Sequence, residues 1–219
     1  MLDIFDILGP ITIGPSSSHT AGAVRIGNMG RTLLGSVPVR AAIHLHGSFA
    51  ETGVGHGTDK ALIAGLMGMQ PDDERIPDSF SYAEDYGLDF RFEHARLRNV
   101  HPNSVYMELW GEEGARLTIL ASSIGGGRIQ IKEISGMPLS FTAEYPTLIV
   151  RNEDQPGSVS DVSRVLAELK INIATFNVNR DSRGGKAIMV IRTDDIESAA
   201  NILHRGGYGD INPAEVYRI

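Results

Sequence analysis

Thr147-Leu148-Ile149-Val150-Arg151, then Asn152-Glu153-Asp154-Gln155-Pro156-Gly157, then Ser158-Val159-Ser160-Asp161-Val162-Ser163-Arg164-Val165-Leu166-Ala167-Glu168-Leu169 spell out a strand, a turn and a helix. The first five residues are mostly aliphatic or β-branched and suit a pleated, buried surface. Pro156-Gly157 breaks the strand, and Ser158 can cap the helix. Val159, Val162, Val165, Leu166 and Leu169 recur every three to four residues, giving one apolar helical face. Working outward, residues 171–179 alternate at period two, 180–185 supply a hairpin turn and 187–191 read as the returning strand. Ile196, Ala199, Ala200 and Leu203 mark a second helix stopped by Gly206-Gly207, and residues 211–219 supply a last short strand. The order βαββαβ is the split βαβ, or ferredoxin-like, pattern.

Toward the N-terminus the pattern is mixed. Helices are expected over 23–34 and 58–68, and strands over 39–46, 89–96, 104–110, 116–122 and 128–133. Turn signals at Ser135-Gly136-Met137-Pro138 and Tyr145-Pro146 mark the change of regime. The expectation is an α+β chain: a mixed α/β domain over 1–140, a linker at 141–146 and a ferredoxin-like domain over 147–219. A chain of 219 residues accommodates two such domains.

Composition narrows the function classes. The net charge is −7, with no Lys/Arg block, so neither nucleic acid nor an anionic membrane is an expected partner. No apolar run approaches the roughly 18 residues of a membrane span, residues 1–10 carry no basic leader, and a cytoplasmic protein is expected. There is no cysteine, which excludes disulfides and any thiolate-bound metal held by this chain alone.

Three polar, glycine-rich segments can carry chemistry. In Gly14-Pro15-Ser16-Ser17-Ser18-His19-Thr20-Ala21-Gly22, hydroxyls gather where a helix begins. This serves either as a generous helix cap or as a site for an anion at the helix N-terminus. His19 adds a group that titrates near neutrality. In His44-Leu45-His46 the two imidazoles share one strand face, as a hydrogen-bonded pair or as ligands. A zinc site lacks a third ligand at a familiar spacing, and no metal ligand is assigned to this chain. His56, between Gly55 and Gly57, is the stronger candidate, because a purely structural turn has no need of imidazole. Ser122-Ser123-Ile124-Gly125-Gly126-Gly127 fits either a hairpin turn or a nest of N–H groups around a carboxylate. No G-x-G-x-x-G dinucleotide fingerprint is present, and Asp72-Asp73-Glu74-Arg75 reads as solvated surface.

On these residues the chain resembles the β part of the iron–sulfur-dependent bacterial L-serine dehydratases. The segments that carry the likeness are Gly14 to Thr20, His46-Gly47-Ser48, Thr52-Gly53-Val54-Gly55-His56-Gly57-Thr58-Asp59 and Ser123-Ile124-Gly125-Gly126-Gly127. The resemblance covers essentially the whole chain and identifies the C-terminal domain as an ACT domain. It implies an L-serine ammonia-lyase that converts L-serine to pyruvate and ammonia, in serine catabolism or gluconeogenesis, and acts only as a complex with an α subunit. That subunit would supply the cysteines of a [4Fe–4S] cluster. His19 and His56 are the implied catalytic residues. Ser16, Ser17, Ser18, Thr20, Ser123, Gly125 and Gly126 are the implied substrate contacts. The resemblance equally connects this domain with an allosteric substrate-binding fold of certain phosphoglycerate dehydrogenases, so the same loops face either an active or an allosteric site. In the ACT domain it implies an amino-acid effector held by Asn152, Asp154, Gln155, Pro156, Gly157 and Asn172, or a domain that serves only for homo-oligomer contact.

Two other function classes fit the residues less well. One is a regulatory amino-acid-binding subunit without catalytic residues. The other is a serine hydrolase using Ser17 and His19, against which stands the lack of a Gly-x-Ser-x-Gly elbow.

Overall fold

The computed structural model describes residues 16–193 and 216–218. The described chain forms two compact units, one ending at Gly136 and the other starting at Met137. The expected helix over 196–203, its Gly206-Gly207 stop and the Gly14-Pro15 turn lie outside the described residues.

In the first unit a π turn (Ser17–Ala21) runs unbroken into α1 (Gly22–Leu34). Next come β1 (Arg40–His46), α2 (Ser48–His56), α3 (Thr58–Leu66) and α4 (Ser79–Tyr86). The strands β2 (Asp89–Ala95), β3 (Ser104–Trp110), β4 (Arg116–Gly125) and β5 (Arg128–Ile134) follow. These strands stand in the order β2-β1-β3-β4-β5, and β6 (Met137–Thr142) opens the second unit. β1 and β2 are parallel, whereas β1–β3, β3–β4 and β4–β5 are antiparallel.

Alternation decides what each strand buries. Ala41, Ile43 and Leu45 of β1, Val105, Met107 and Leu109 of β3, and Leu117, Ile119 and Ala121 of β4 are all buried. α1 lies over this face: a Cβ on Gly30 would meet Leu109 and Met107 of β3 and Leu66 of α3. α1 and α3 cross backbone to backbone at Gly27 and Gly65, where a Cβ on Gly65 would overlap the Val24 carbonyl and sit 2.8 Å from the Asn28 nitrogen. Only glycine permits so close an approach.

Three departures from the sequence reading have physical causes. Residues 48–56, read as a glycine-rich loop, form helix α2. Phe49 is fully buried and anchors it, so tertiary packing overrides the poor helix propensity of Gly53 and Gly55. Met137-Pro138, read as a turn, begins strand β6. That strand is the last in its sheet, and Pro138 occupies an exposed position where a missing N–H is tolerated. Residues 17–20, read as the approach to a helix, are already helical.

The second unit contains β7 (Thr147–Glu153), α5 (Ser158–Glu168), β8 (Ile173–Arg180), β9 (Lys186–Thr193) and β10 (Val216–Arg218). Their order is β10-β7-β9-β8, and every adjacent pair is antiparallel, as the ferredoxin-like pattern requires. Leu148, Val150, Met189 and Ile191 of the sheet bury against Val162, Val165 and Leu166 of α5. β7 is two residues longer than expected, so Asn152 sits in the strand and not in the turn, and it is buried. The residue capping α5 is Gly157, at φ 104°, rather than Ser158.

Candidate active site

His19 projects from the π turn into a ring of hydroxyls. Ser16 accepts a hydrogen bond from the His19 backbone N–H (3.2 Å) and so caps the turn. Its Oγ also lies 3.3 Å from His19 Nδ1, with Ser18 Oγ at 3.5 Å. Across the ring, Nε2 is 3.1 Å from both Ser48 Oγ and Thr52 Oγ1. π turns are rare in helices and recur at functional sites.

The second wall is α2. Ser48, Thr52 and His56 stand at i, i+4 and i+8, so the helix carries them as one stripe toward His19. The His19 and His56 rings approach to 5.0 Å between centroids, tilted by 50°. Phe49 packs edge-on against His19 at 5.4 Å. The two imidazoles differ in setting: His19 is buried and His56 is exposed. Burial first, and then the neighbouring His56, push His19 below its ordinary pKa, against a hydrogen bond with the Ser48 backbone that favours the charged ring.

The third element is the β4–β5 hairpin. Ser123 is fully buried; its N–H donates to the Asn103 carbonyl (2.8 Å) and its side chain lies against Gly22, where a Cβ would overlap the hydroxyl. Arg25 Nη1 donates to the Gly127 carbonyl (3.0 Å) and ties α1 to the hairpin. Gly125, Gly126 and Gly127 have φ of 95°, 61° and 74°, which side chains rarely adopt, and Gly125 pairs with Arg128 across a two-residue turn. Thr20, Thr58 and Ser123 each hold a buried hydroxyl oxygen without a hydrogen-bond partner. Buried hydroxyls are normally satisfied, so these three have capacity for a further partner.

Of the sequence candidates, Ser16, Ser18, His19 and His56 therefore meet directly. Ser17 is exposed on the same turn, Thr20 is buried one residue past His19, and Ser123 reaches the start of α1. Gly125 and Gly126 lie at the hairpin turn. Ser48, Thr52 and Phe49 are not among the sequence candidates, although the four-residue spacing of Ser48, Thr52 and His56 is a usable signal.

His44 and His46 belong elsewhere. His44 stands between two carboxylates, with Nδ1 3.3 Å from Glu93 and Nε2 3.4 Å from Glu108. His46 Nδ1 accepts the Leu97 N–H at 3.1 Å, closing the end of β2. Among the described residues no three His, Cys, Asp or Glu side chains converge as a metal site.

In the second unit, the Asp154 carboxylate accepts from Arg180 (2.8 Å) and from the Gly184 N–H (3.1 Å). The Gly184 N–H first, and Arg180 next, hold it below the usual carboxylate range. Asn152 donates from Nδ2 to the Glu153 carbonyl, while its buried Oδ1 has no partner. Gln155, Pro156 and Gly157 lie exposed in the loop before α5, and Asn172 is exposed just before β8.

Residues 1–86 match the family described as "Serine dehydratase beta chain", and residues 146–203 match the ACT domain. The chain is 43% identical over 191 residues to "Probable L-serine dehydratase, beta chain" of Bacillus subtilis, covering 87% of this chain and 86% of that protein. It is 39% identical over 191 residues to "L-serine dehydratase, beta chain" of Peptoniphilus asaccharolyticus, with the same coverage. It is also 34% identical over 173 residues to "L-serine dehydratase 2" of Escherichia coli, covering 67% of this chain and 37% of that longer protein.

Proposed function

The chain belongs to the family of L-serine dehydratase β chains, and from that premise we propose that it works with an α chain to eliminate water from L-serine, releasing pyruvate and ammonia. The observation that carries this reading is the pair of imidazoles, one buried and one exposed, set 5.0 Å apart beside a ring of hydroxyls.

Elimination needs the Cα proton removed, the carboxylate held and the hydroxyl made a better leaving group. His56 takes the Cα proton: it is exposed to an incoming substrate and lies beside a ring whose positive charge burial disfavours. Ser17 and Ser18, with the N–H groups at the start of the helical run, receive the carboxylate, where the helix dipole favours negative charge. The buried hydroxyls of Thr20 and Ser123 have acceptor and donor capacity left for the bound amino acid. Gly125 and Gly126 contribute by allowing the hairpin to turn tightly beside Ser123.

This chain has no cysteine and no three-ligand cluster among its described residues, so its own residues do not fit a [4Fe–4S] group. We assign that group to the α chain, where it would act as Lewis acid on the departing hydroxyl. In the second unit, the buried Asn152 Oδ1 and the Gln155-Pro156-Gly157 loop are assigned to an amino-acid effector, with Asn172 at the loop's flank. Asp154 shapes that loop through Arg180 and Gly184. The largely exposed strand β8, at the end of its sheet, offers an edge to a second copy.

The test is an anaerobic preparation of the complex assayed for pyruvate from L-serine. His56→Ala is expected to lower kcat by about 10²–10⁴-fold with cluster content unchanged. Turnover by this chain alone refutes the reading, and a change confined to the cooperativity of serine binding in His56→Ala refutes it in favour of a regulatory subunit.

A further inference from the structure

Four hydroxyls approach the His19 imidazole, and one of them has its proton already committed. Thr52 Oγ1 donates to the Ser48 carbonyl at 2.9 Å, one helical turn back along α2. A threonine hydroxyl has a single proton, so toward His19 Nε2, 3.1 Å away, Thr52 Oγ1 presents only lone pairs. It can accept there but cannot donate. A nitrogen facing an obligate acceptor at that distance has to carry the proton.

The opposite side of the ring agrees. Ser16 Oγ accepts from the His19 backbone N–H at 3.2 Å, which leaves its own proton free to point at Nδ1, 3.3 Å away. Ser48 Oγ, also 3.1 Å from Nε2, has no committed proton and adapts to either tautomer. Of the four hydroxyls, Thr52 alone breaks the tie.

We infer that Thr52 is a positioning residue that fixes His19 as the neutral Nε2–H tautomer. Its backbone-committed hydroxyl on α2 sets which ring nitrogen of a π-turn histidine bears hydrogen. In consequence Nδ1 of the neutral ring keeps its lone pair toward Ser16 and Ser18. The Ser16 proton is thereby spent on His19, which leaves Ser17 and Ser18 as the hydroxyls of the turn with protons for a ligand. No property of Thr52 by itself would serve; the bond to the Ser48 carbonyl turns an ambivalent hydroxyl into a fixed acceptor. This role in turnover rests on the reading of His56 as the proton carrier, whereas the tautomer itself does not.

The test uses the full-length chain with ¹⁵N-labelled histidine, the His19 signals being assigned by their loss in His19→Gln. In the wild type, Nε2 is expected to be protonated and Nδ1 bare, in a ratio of about ten to one or more, the factor for one net hydrogen bond. Thr52→Val is expected to bring the two tautomers to comparable populations and, in the complex with the α chain, to lower kcat about tenfold with KM little changed. Thr52→Ser, which keeps the acceptor and the bond to the Ser48 carbonyl, is expected to restore both. A wild-type His19 protonated at Nδ1, or a Thr52→Val chain with the wild-type tautomer ratio, overturns the inference. So does a shifted tautomer with unchanged turnover, since Thr52 would then position nothing that matters to the reaction. Full turnover in His56→Ala would instead remove the site reading, and the tautomer measurement would stand apart from it.

Discussion

At His19, burial and the neighbouring His56 ring both disfavour a positive charge, and this couples folding to protons. The ordinary histidine pKa is about 6.5. With the folded value below it, the unfolded chain binds more protons in the interval between the two, so stability rises with pH there and is complete above about 6.5. Urea unfolding across about pH 5 to 8 is expected to show an acid arm of falling stability that is reduced in His19→Gln. An acid arm of equal slope in that variant would show that other groups cause it. At this scale much is legible in the sequence. The run Ser16 to Thr20 announces both a helix start and a titrating group. The partners of His19 Nε2 are not legible, because they lie 29 and 33 residues away in the chain. Only the packing of α2 beside the π turn brings them in.

Among the elements, glycine has opposite meanings at two places. At the α1–α3 crossing Gly65 faces backbone, which cannot rotate aside, and Gly65→Ala is expected to destabilise the chain by about 3 kcal/mol. Gly55, inside α2, keeps a negative φ and has open space where a Cβ would stand, so Gly55→Ala is expected to stabilise by about 0.5 kcal/mol. Urea midpoints of the two variants should move in opposite directions; a shift of the same sign in both would contradict the packing described for one of them. These two roles look identical in the sequence, which explains why α2 reads there as a loop. The strands β1 to β5 read well because a two-residue alternation survives in the first sheet. β6 escapes a sequence reading because Pro138 argues against a strand everywhere except at an edge.

For the molecule as a whole, the ACT pattern is readable from hydrophobic period alone, since β7, α5 and β9 bury clean apolar faces. The first unit is recognisable chiefly through its polar segments, whose purpose becomes clear only when residues 16–20, 48–56 and 123 are seen together. The histidine site and the effector loop belong to different units, so their variants should separate. Asn152→Ala and Asp154→Ala are expected to weaken the calorimetric binding of L-serine by about tenfold each, with kcat of the complex at saturating serine unchanged. Undiminished binding in both variants would exclude the loop as the effector site. The stripe on α2 has a last consequence, which concerns length rather than identity. Ser48, Thr52 and His56 are aligned only because each is four residues from the next, and a helix advances about 100° per residue. Removing or adding a single uncharged residue between Thr52 and His56 would preserve the net charge and touch no strand, yet swing His56 a quarter-turn or more away from His19. In this segment the protein can exchange letters more safely than it can change the count between them.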